Sequence, residues 1–320
     1  MTVQTRREFL TTASAAALAG ASMTTLADAD DEDASTVTGI IDAHSHIWTR
    51  DIAAYPLATG RTLNDLAPPS FTVEELLDTV QPLGVARVVL IQHRPFHGVD
   101  NTYITDTMAR YPGLFSAVAC IDASAAGPDE EMSRLQRLGV RGFRIVPRED
   151  GDKRWVESNG VCTMWRHAGE SGLAICPLID AQFLPEVDAM CEKYPDTPVV
   201  IDHFARIGVD GEIRDADVAS LAQLAKHPHT NVKVSAFYAL GRKEPPYTEL
   251  IPMIRRLYEA YGPERLMWAS DSPYQIGGRN NYADSLTFVR DRVEFLTPSD
   301  KQWLLRKTAA RVYFAESDTI

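Results

Sequence analysis

The sequence predicts an α/β protein folded as a closed (β/α)8 barrel of the TIM type, and three observations carry that prediction. Eight short apolar runs alternate with eight helix-like runs between residues 40 and 313, the cadence of repeated strand–helix pairs. An open doubly wound sheet would carry a glycine-rich turn after its first strand, and Ile40-Ile41-Asp42-Ala43-His44-Ser45-His46 carries none. Residues able to do chemistry stand at the C-terminal ends of runs far apart in sequence, where a barrel would open them onto one mouth.

Taken in order, Ile40 and Ile41 open the first strand, and side chains alternate along it, so His44 and His46 face the same side. A long connection punctuated by Pro and Gly follows over 47–70; loops of that length in a compact domain are usually functional. Thr72-Val73-Glu74-Glu75 matches a capping box and starts a helix through Leu76, Leu77 and Val80. The second strand, 85–92, is apolar on both faces as a buried parallel strand should be, and its helix, 101–111, stops at Pro112. The third pair is 114–122 with a helix at 128–138, which has Pro early and Gly139 just past its end. Strands at 140–146, 173–179 and 197–203 pair with helices at 164–171, 183–194 and 217–227. Strand 231–236 with helix 247–261, and strand 265–271 with helices at 282–295 and 298–313, complete the set.

Composition agrees. The 320 residues are 45% hydrophobic and 24% charged, the balance of a globular chain long enough for two ordinary domains or one large barrel. A net charge of −12 argues against a nucleic-acid or anionic-membrane surface while leaving room for a local basic pocket. No run approaches the roughly 18 apolar residues of a membrane span. Residues 1–29 fall outside the expected fold. Thr5-Arg6-Arg7-Glu8-Phe9-Leu10 has the twin-arginine form, an Ala-rich stretch follows, and Ala19-Gly20-Ala21 and Ala27-Asp28-Ala29 are small-residue cleavage candidates. Twin-arginine export to the periplasm or beyond is therefore expected, with 30–38 as a solvated acidic linker and the barrel over 39–316. The alternative for 1–29 is a disordered Ala-rich tail. No two of Cys120, Cys162, Cys176 and Cys191 have metal-ligand spacing, so free thiols are expected.

Two imidazoles on one side of a strand end, His44 and His46, can grip one metal ion or one substrate anion, or stand there as unrelated polar residues. Strand two ends near His93, strand four carries Arg144, strand six ends in Asp202-His203 with Arg206 close behind, and strand eight ends in Asp271. Each has a plainer alternative: a hydrogen-bonded core histidine for His203, a helix N-cap for Asp271, a strand-to-strand salt bridge for Arg144. Trp48 and Tyr274 can stack on a ring substrate or simply pack, and His93 and His97 flank Pro95 in a loop. His167, His227 and His229 read as surface residues. A carboxylate at Asp271, ringed by imidazoles, would stay ionised and take a proton from water, while Arg144, Arg148 or Arg206 held a substrate carboxylate with paired donors.

These residues resemble the amidohydrolase superfamily, most closely its "amidohydrolase 2" branch of lactone hydrolases and metal-dependent decarboxylases. The resemblance runs from about Ile40 to Phe314. It rests on Ile41-Asp42-Ala43-His44-Ser45-His46-Ile47-Trp48, Arg141-Gly142-Phe143-Arg144, Val200-Ile201-Asp202-His203, Asn231-Val232-Lys233-Val234-Ser235 and the run Tyr261 to Pro273. By resemblance, His44, His46 and Asp271 would be metal ligands, with Asp271, His203 and His46 catalytic and Asp271 the general base. Arg144 would meet a substrate oxygen or carboxylate, with Arg206, His93 and Trp48 as further substrate contacts. Three departures stand out: strand four lacks a lysine to bridge two metals, strand five ends Cys176-Pro177-Leu178-Ile179-Asp180 without the decarboxylases' histidine, and Ser272 replaces the usual aromatic. The resemblance therefore implies either one divalent ion, zinc or manganese, or none. The expected activity is opening of a small carboxylated or sugar-acid lactone; the alternatives are a metal-dependent decarboxylase of a small unsaturated or aromatic acid, and a binding module without turnover. The expected partner is a small-molecule substrate, with no nucleic acid and no membrane, and the sequence leaves the oligomeric state open.

Overall fold

The computed structural model describes residues 39–147 and 155–314. The expected export segment (1–29), the acidic linker (30–38) and Arg148 lie outside the described residues.

Eight strands form one sheet in chain order: β1 (Ile40–Ser45), β2 (Val85–Ile91), β3 (Phe115–Ala119), β4 (Val140–Ile145), β5 (Ala174–Pro177), β6 (Val199–Ile201), β7 (Thr230–Val234) and β8 (Leu266–Trp268). Every neighbouring pair is parallel. Closure comes just past the strand ends, where Ser45 and Ser272 form a parallel bridge. There the His46 amide donates to the Ser272 carbonyl (2.7 Å) and the Asp271 amide to the His44 carbonyl (2.9 Å). The chain is thus an α/β barrel of eight strands with helices between them.

The helices are α1 (Val73–Val80), α2 (Arg94–His97), α3 (Thr102–Arg110), α4 (Pro128–Arg137), α5 (Asn159–Ser171), α6 (Leu184–Lys193), α7 (Asp215–Gln223), α8 (Ile251–Tyr261), α9 (Tyr282–Thr287), α10 (Pro298–Gln302) and α11 (Thr308–Tyr313). The capping box before α1 is made: Thr72 Oγ1 accepts from the Glu75 amide, and the Glu75 carboxylate accepts from the Thr72 amide at 2.6 Å. α5 starts five residues before the expected 164, because Ser158 Oγ accepts from the Val161 amide and caps the helix there. π-helical turns, Phe288–Arg292 and Trp303–Lys307, continue α9 and join α10 to α11.

Strands six, seven and eight end earlier than their apolar runs suggest. The chain leaves β6 through His203, Phe204, Ala205 and Arg206, all left-handed (φ 51–54°), and Ala236 and Asp271 are left-handed after β7 and β8. None is glycine, and each such residue costs about 1–2 kcal/mol. That strain sits at the barrel mouth. Inside the barrel a small cluster that includes Ile41, Val89, Val118, Val200 and Met267 packs on Tyr313 of α11. The larger core lies between strands and helices.

Candidate active site

Alternation along β1 does put His44 and His46 together, with their Nε2 atoms 3.3 Å apart. The left-handed Asp271 after β8 brings a carboxylate onto the same spot: Asp271 Oδ1 lies 3.4 Å from His44 Nε2 and 3.3 Å from His46 Nε2. His203, carried by the left-handed turn after β6, places Nε2 3.7 Å from Asp271 Oδ2. Three imidazoles from β1 and β6 therefore surround one carboxylate from β8.

The Ile91 carbonyl can only accept, so His46 Nδ1 donates to it (2.8 Å) and the ring turns Nε2 toward the site. His44 stands between two donor-only groups, with Arg144 Nη2 3.0 Å from Nε2 and Lys233 Nζ 3.2 Å from Nδ1, while Asp202 Oδ1 lies 3.5 Å from Nδ1. The Nε2 atoms of His44 and His46 and a carboxylate oxygen converge with edges of 3.3, 3.3 and 3.4 Å. Ligands about 2.0–2.1 Å from a tetrahedral ion would lie about 3.3–3.4 Å from one another. The donor set and its spacing fit one small divalent cation, and His44, His203 and Asp271 also keep their ligand atoms within 4.8 Å of one another.

Behind this triangle lies a charge network that motif reading did not assign to the site. Lys233 of β7 is fully buried, its Nζ 3.0 Å from Asp202 Oδ1 and 3.2 Å from His44 Nδ1. Asp202 also takes a 2.8 Å bond from Arg144. Burial alone would raise the Asp202 carboxyl, but Lys233 and Arg144 outweigh it and hold it well below the usual carboxylate range. Arg144 therefore spends one amino group on Asp202 and His44, while its Nε is buried without a partner. The strand-to-strand salt bridge and the site residue are the same arginine. Burial, followed by Lys233 and His203, keeps His44 neutral, well below its ordinary range. Burial lowers His203 too, against the pull of Asp271. Burial would push Asp271 up, but the imidazoles of His203, His46 and His44 reverse it and hold the carboxyl well below its usual range.

Two hydroxyls complete the cluster. Tyr238 donates to Asp271 Oδ2 (2.7 Å), and burial beside that carboxylate keeps the phenol protonated. Ser235 Oγ lies 2.8 Å from His203 Nδ1. Asp42, one alternation before His44, accepts from the His44 and Ser270 amides, Ser270 Oγ and Tyr282 OH, and ties β1 to the end of β8. Lys233 and Ser235 did have a signal: they share β7's inward face with alternate spacing, and a lysine in an otherwise apolar strand is rarely idle.

The remaining expected residues spread over the mouth. His93 meets Tyr274 OH at 2.5 Å and is lowered to about 2, by burial first and then by His46 and Arg144. Trp48 is buried, donates from Nε1 to the Pro68 carbonyl (2.9 Å) and packs 4.8 Å behind the His93 ring, away from the cavity lining. The packing alternative describes it. Arg206 does line the cavity, but on the rim and ion-paired with Asp180 at 3.2 Å. The cavity itself is about 910 Å³ and is lined by His46, His93, Arg144, His203, Tyr238 and Asp271, among others. All four cysteines are free, three of them buried.

With that geometry in hand, the comparisons are informative. A family model described as "Amidohydrolase" matches residues 41–315, which is the whole described barrel. An L-fucono-1,5-lactonase of Burkholderia ambifaria is 26% identical over 241 residues, covering 73% of this chain and 80% of that protein. A 4-sulfomuconolactone hydrolase of Hydrogenophaga intermedia is 27% identical over 240 residues, 74% of this chain and 75% of that protein. In fold, a crystal structure of an amidohydrolase from Burkholderia multivorans with bound zinc aligns with a TM-score of 0.71 at 21% identity, over 86% of this chain and 99% of that one.

Proposed function

This chain belongs to the amidohydrolase family and is a hydrolase, and from that premise we propose that it opens a small carboxylated or sugar-acid lactone. The observation that carries the proposal is the ionised Asp271 carboxylate, set between three imidazoles and a phenol on the floor of one cavity. Similarity to two lactone-opening enzymes supports the choice of a cyclic ester.

In this scheme a water beside Asp271 gives its proton to the carboxylate as its oxygen adds to the ring carbonyl. Tyr238 keeps Oδ2 in place from the far side. Arg144 Nε and His203 stand where the carbonyl oxygen gathers negative charge, the region where preorganised donors count most. Collapse breaks the ring C–O bond, and the leaving oxygen takes the proton back from Asp271. The product is an open-chain hydroxy acid. A divalent ion, zinc or manganese, would be held by His44, His46 and Asp271, with His203 adjacent, and would supply Lewis-acid polarisation and a more acidic water. Lys233 and Asp202 act through His44: they fix the position of its ring.

A panel of sugar lactones and carboxylated lactones, followed by acid release with and without chelator and paired with metal analysis, tests this. Asp271→Asn should lower kcat at least about 10³-fold, the scale of losing a positioned base. Retained activity in that variant, or release of carbon dioxide in place of hydroxy acid, would overturn the proposal, the latter in favour of a decarboxylase. Export through residues 1–29 belongs to the same proposal. N-terminal sequencing should find a mature chain that begins between about Ser22 and Asp30.

A further inference from the structure

Two cavities open side by side at the barrel mouth. The catalytic one, about 910 Å³, already exceeds the needs of a small lactone ring, and the second is about 1040 Å³. Ala58, Thr59, Arg94, Arg144 and Val146 line both, so a ligand can occupy the two at once.

Among the arginines that line the two cavities, one stands apart. Arg144 is matched by Asp202, Arg206 by Asp180, and Arg61 on the rim by Asp65 at 3.8 Å. Arg94, on the short turn α2 after β2, makes no ion pair and no side-chain hydrogen bond among the described residues. The doorway thus carries one unmatched guanidinium, in a chain whose net charge is −12. An unmatched fork of donors is a carboxylate site. Beyond it, the second cavity is lined by Trp155 and His97, whose Nε1 and Nε2 are buried without partners, and by the carboxylates of Asp100 and Asp122. His97 Nδ1 donates to the Pro56 carbonyl (3.1 Å), so Nε2 is the ring nitrogen left to meet a ligand, whereas the indole can only donate. Buried polar groups left without partners are costly unless something else meets them.

We propose that Arg94 selects substrate: it holds an anionic group, a carboxylate or a sulfonate, that the lactone carries outside its ring and that projects into the second cavity. Trp155 Nε1 adds a donor to that group, and His97 Nε2 meets a neighbouring hydroxyl. The inference rests on the lactone-hydrolase assignment, and it gives Arg94 no part in the chemistry at Asp271.

The test compares γ-valerolactone with the same ring whose methyl is replaced by a carboxymethyl group. The readout is the preference for the acidic lactone, as a ratio of kcat/KM values, in wild type, Arg94→Ala, Arg94→Lys and Arg94→Glu. A charge-assisted hydrogen bond sets the expected fall in Arg94→Ala at about 10- to 100-fold, mainly through KM of the acidic lactone. Arg94→Lys should recover part of it and Arg94→Glu should fall further. An unchanged ratio in Arg94→Ala, or an equal loss on both lactones, would overturn the inference. If wild type opens neither ring, the hydrolase assignment is what suffers, and Arg94 is judged by calorimetry with the hydroxy acid of the carboxymethyl lactone. Weaker binding in Arg94→Ala supports its role there, and equal binding overturns it.

Discussion

Acidification should unfold this protein earlier than its carboxylates alone would require. His44, His93 and His203 are buried and held neutral, His93 down to about 2. In the unfolded chain each binds a proton near pH 6.5, so below that pH the unfolded state binds more protons and stability falls. For His93 this removes about 1.9 kcal/mol between about pH 7 and pH 5, and His44 and His203 act in the same direction. Asp42 runs the other way, because burial raises its carboxyl and the folded chain takes up that proton first. The three histidines against one carboxyl leave a net loss of stability on acidification. Urea unfolding followed by tryptophan fluorescence at the two pH values, with chelator present, measures it. His93→Gln should remove about 2 kcal/mol of the difference without touching the other two histidines. A wild-type change under about 1 kcal/mol, or an unaltered pH dependence in His93→Gln, would show that these rings are not kept neutral by the fold.

Two further perturbations probe the scaffold beneath the site. Lys233→Met leaves Asp202 with Arg144 at 2.8 Å and the His44 ring at 3.5 Å, so the loss should fall near the lower end of the range for a broken buried pair, about 3 kcal/mol. A denaturation midpoint equivalent to less than about 1 kcal/mol of loss would mean that Arg144 alone balances Asp202. Gly160→Ala would place a Cβ 1.6 Å from the Ala123 carbonyl oxygen, forcing α5 off the β3 loop at a cost of about 3 kcal/mol or more. Unchanged thermal stability in that variant would refute this close approach of α5 to Ala123.

How far the sequence reached is best judged residue by residue. Apolar runs and capping signals are local, and they placed eight strands, the Thr72 cap and the alternation of His44 with His46, because period and cap chemistry need no distant partner. The same locality put His203, Arg144 and Asp271 at strand ends. It could not show that His203 and Asp271 are swung inward by left-handed non-glycine backbone, since no residue type there announces that conformation. Nor could it show Lys233 beneath His44, Tyr238 on Asp271, Trp48 behind His93, or Arg206 matched by Asp180. Charge compensation and converging ring nitrogens exist only once the barrel closes through Ser45 and Ser272. The chain's own order of residues determined the barrel and the chemical types at its mouth. Closure alone decided which charges cancel, which imidazoles and carboxylates face one another, and which guanidinium is left without a partner.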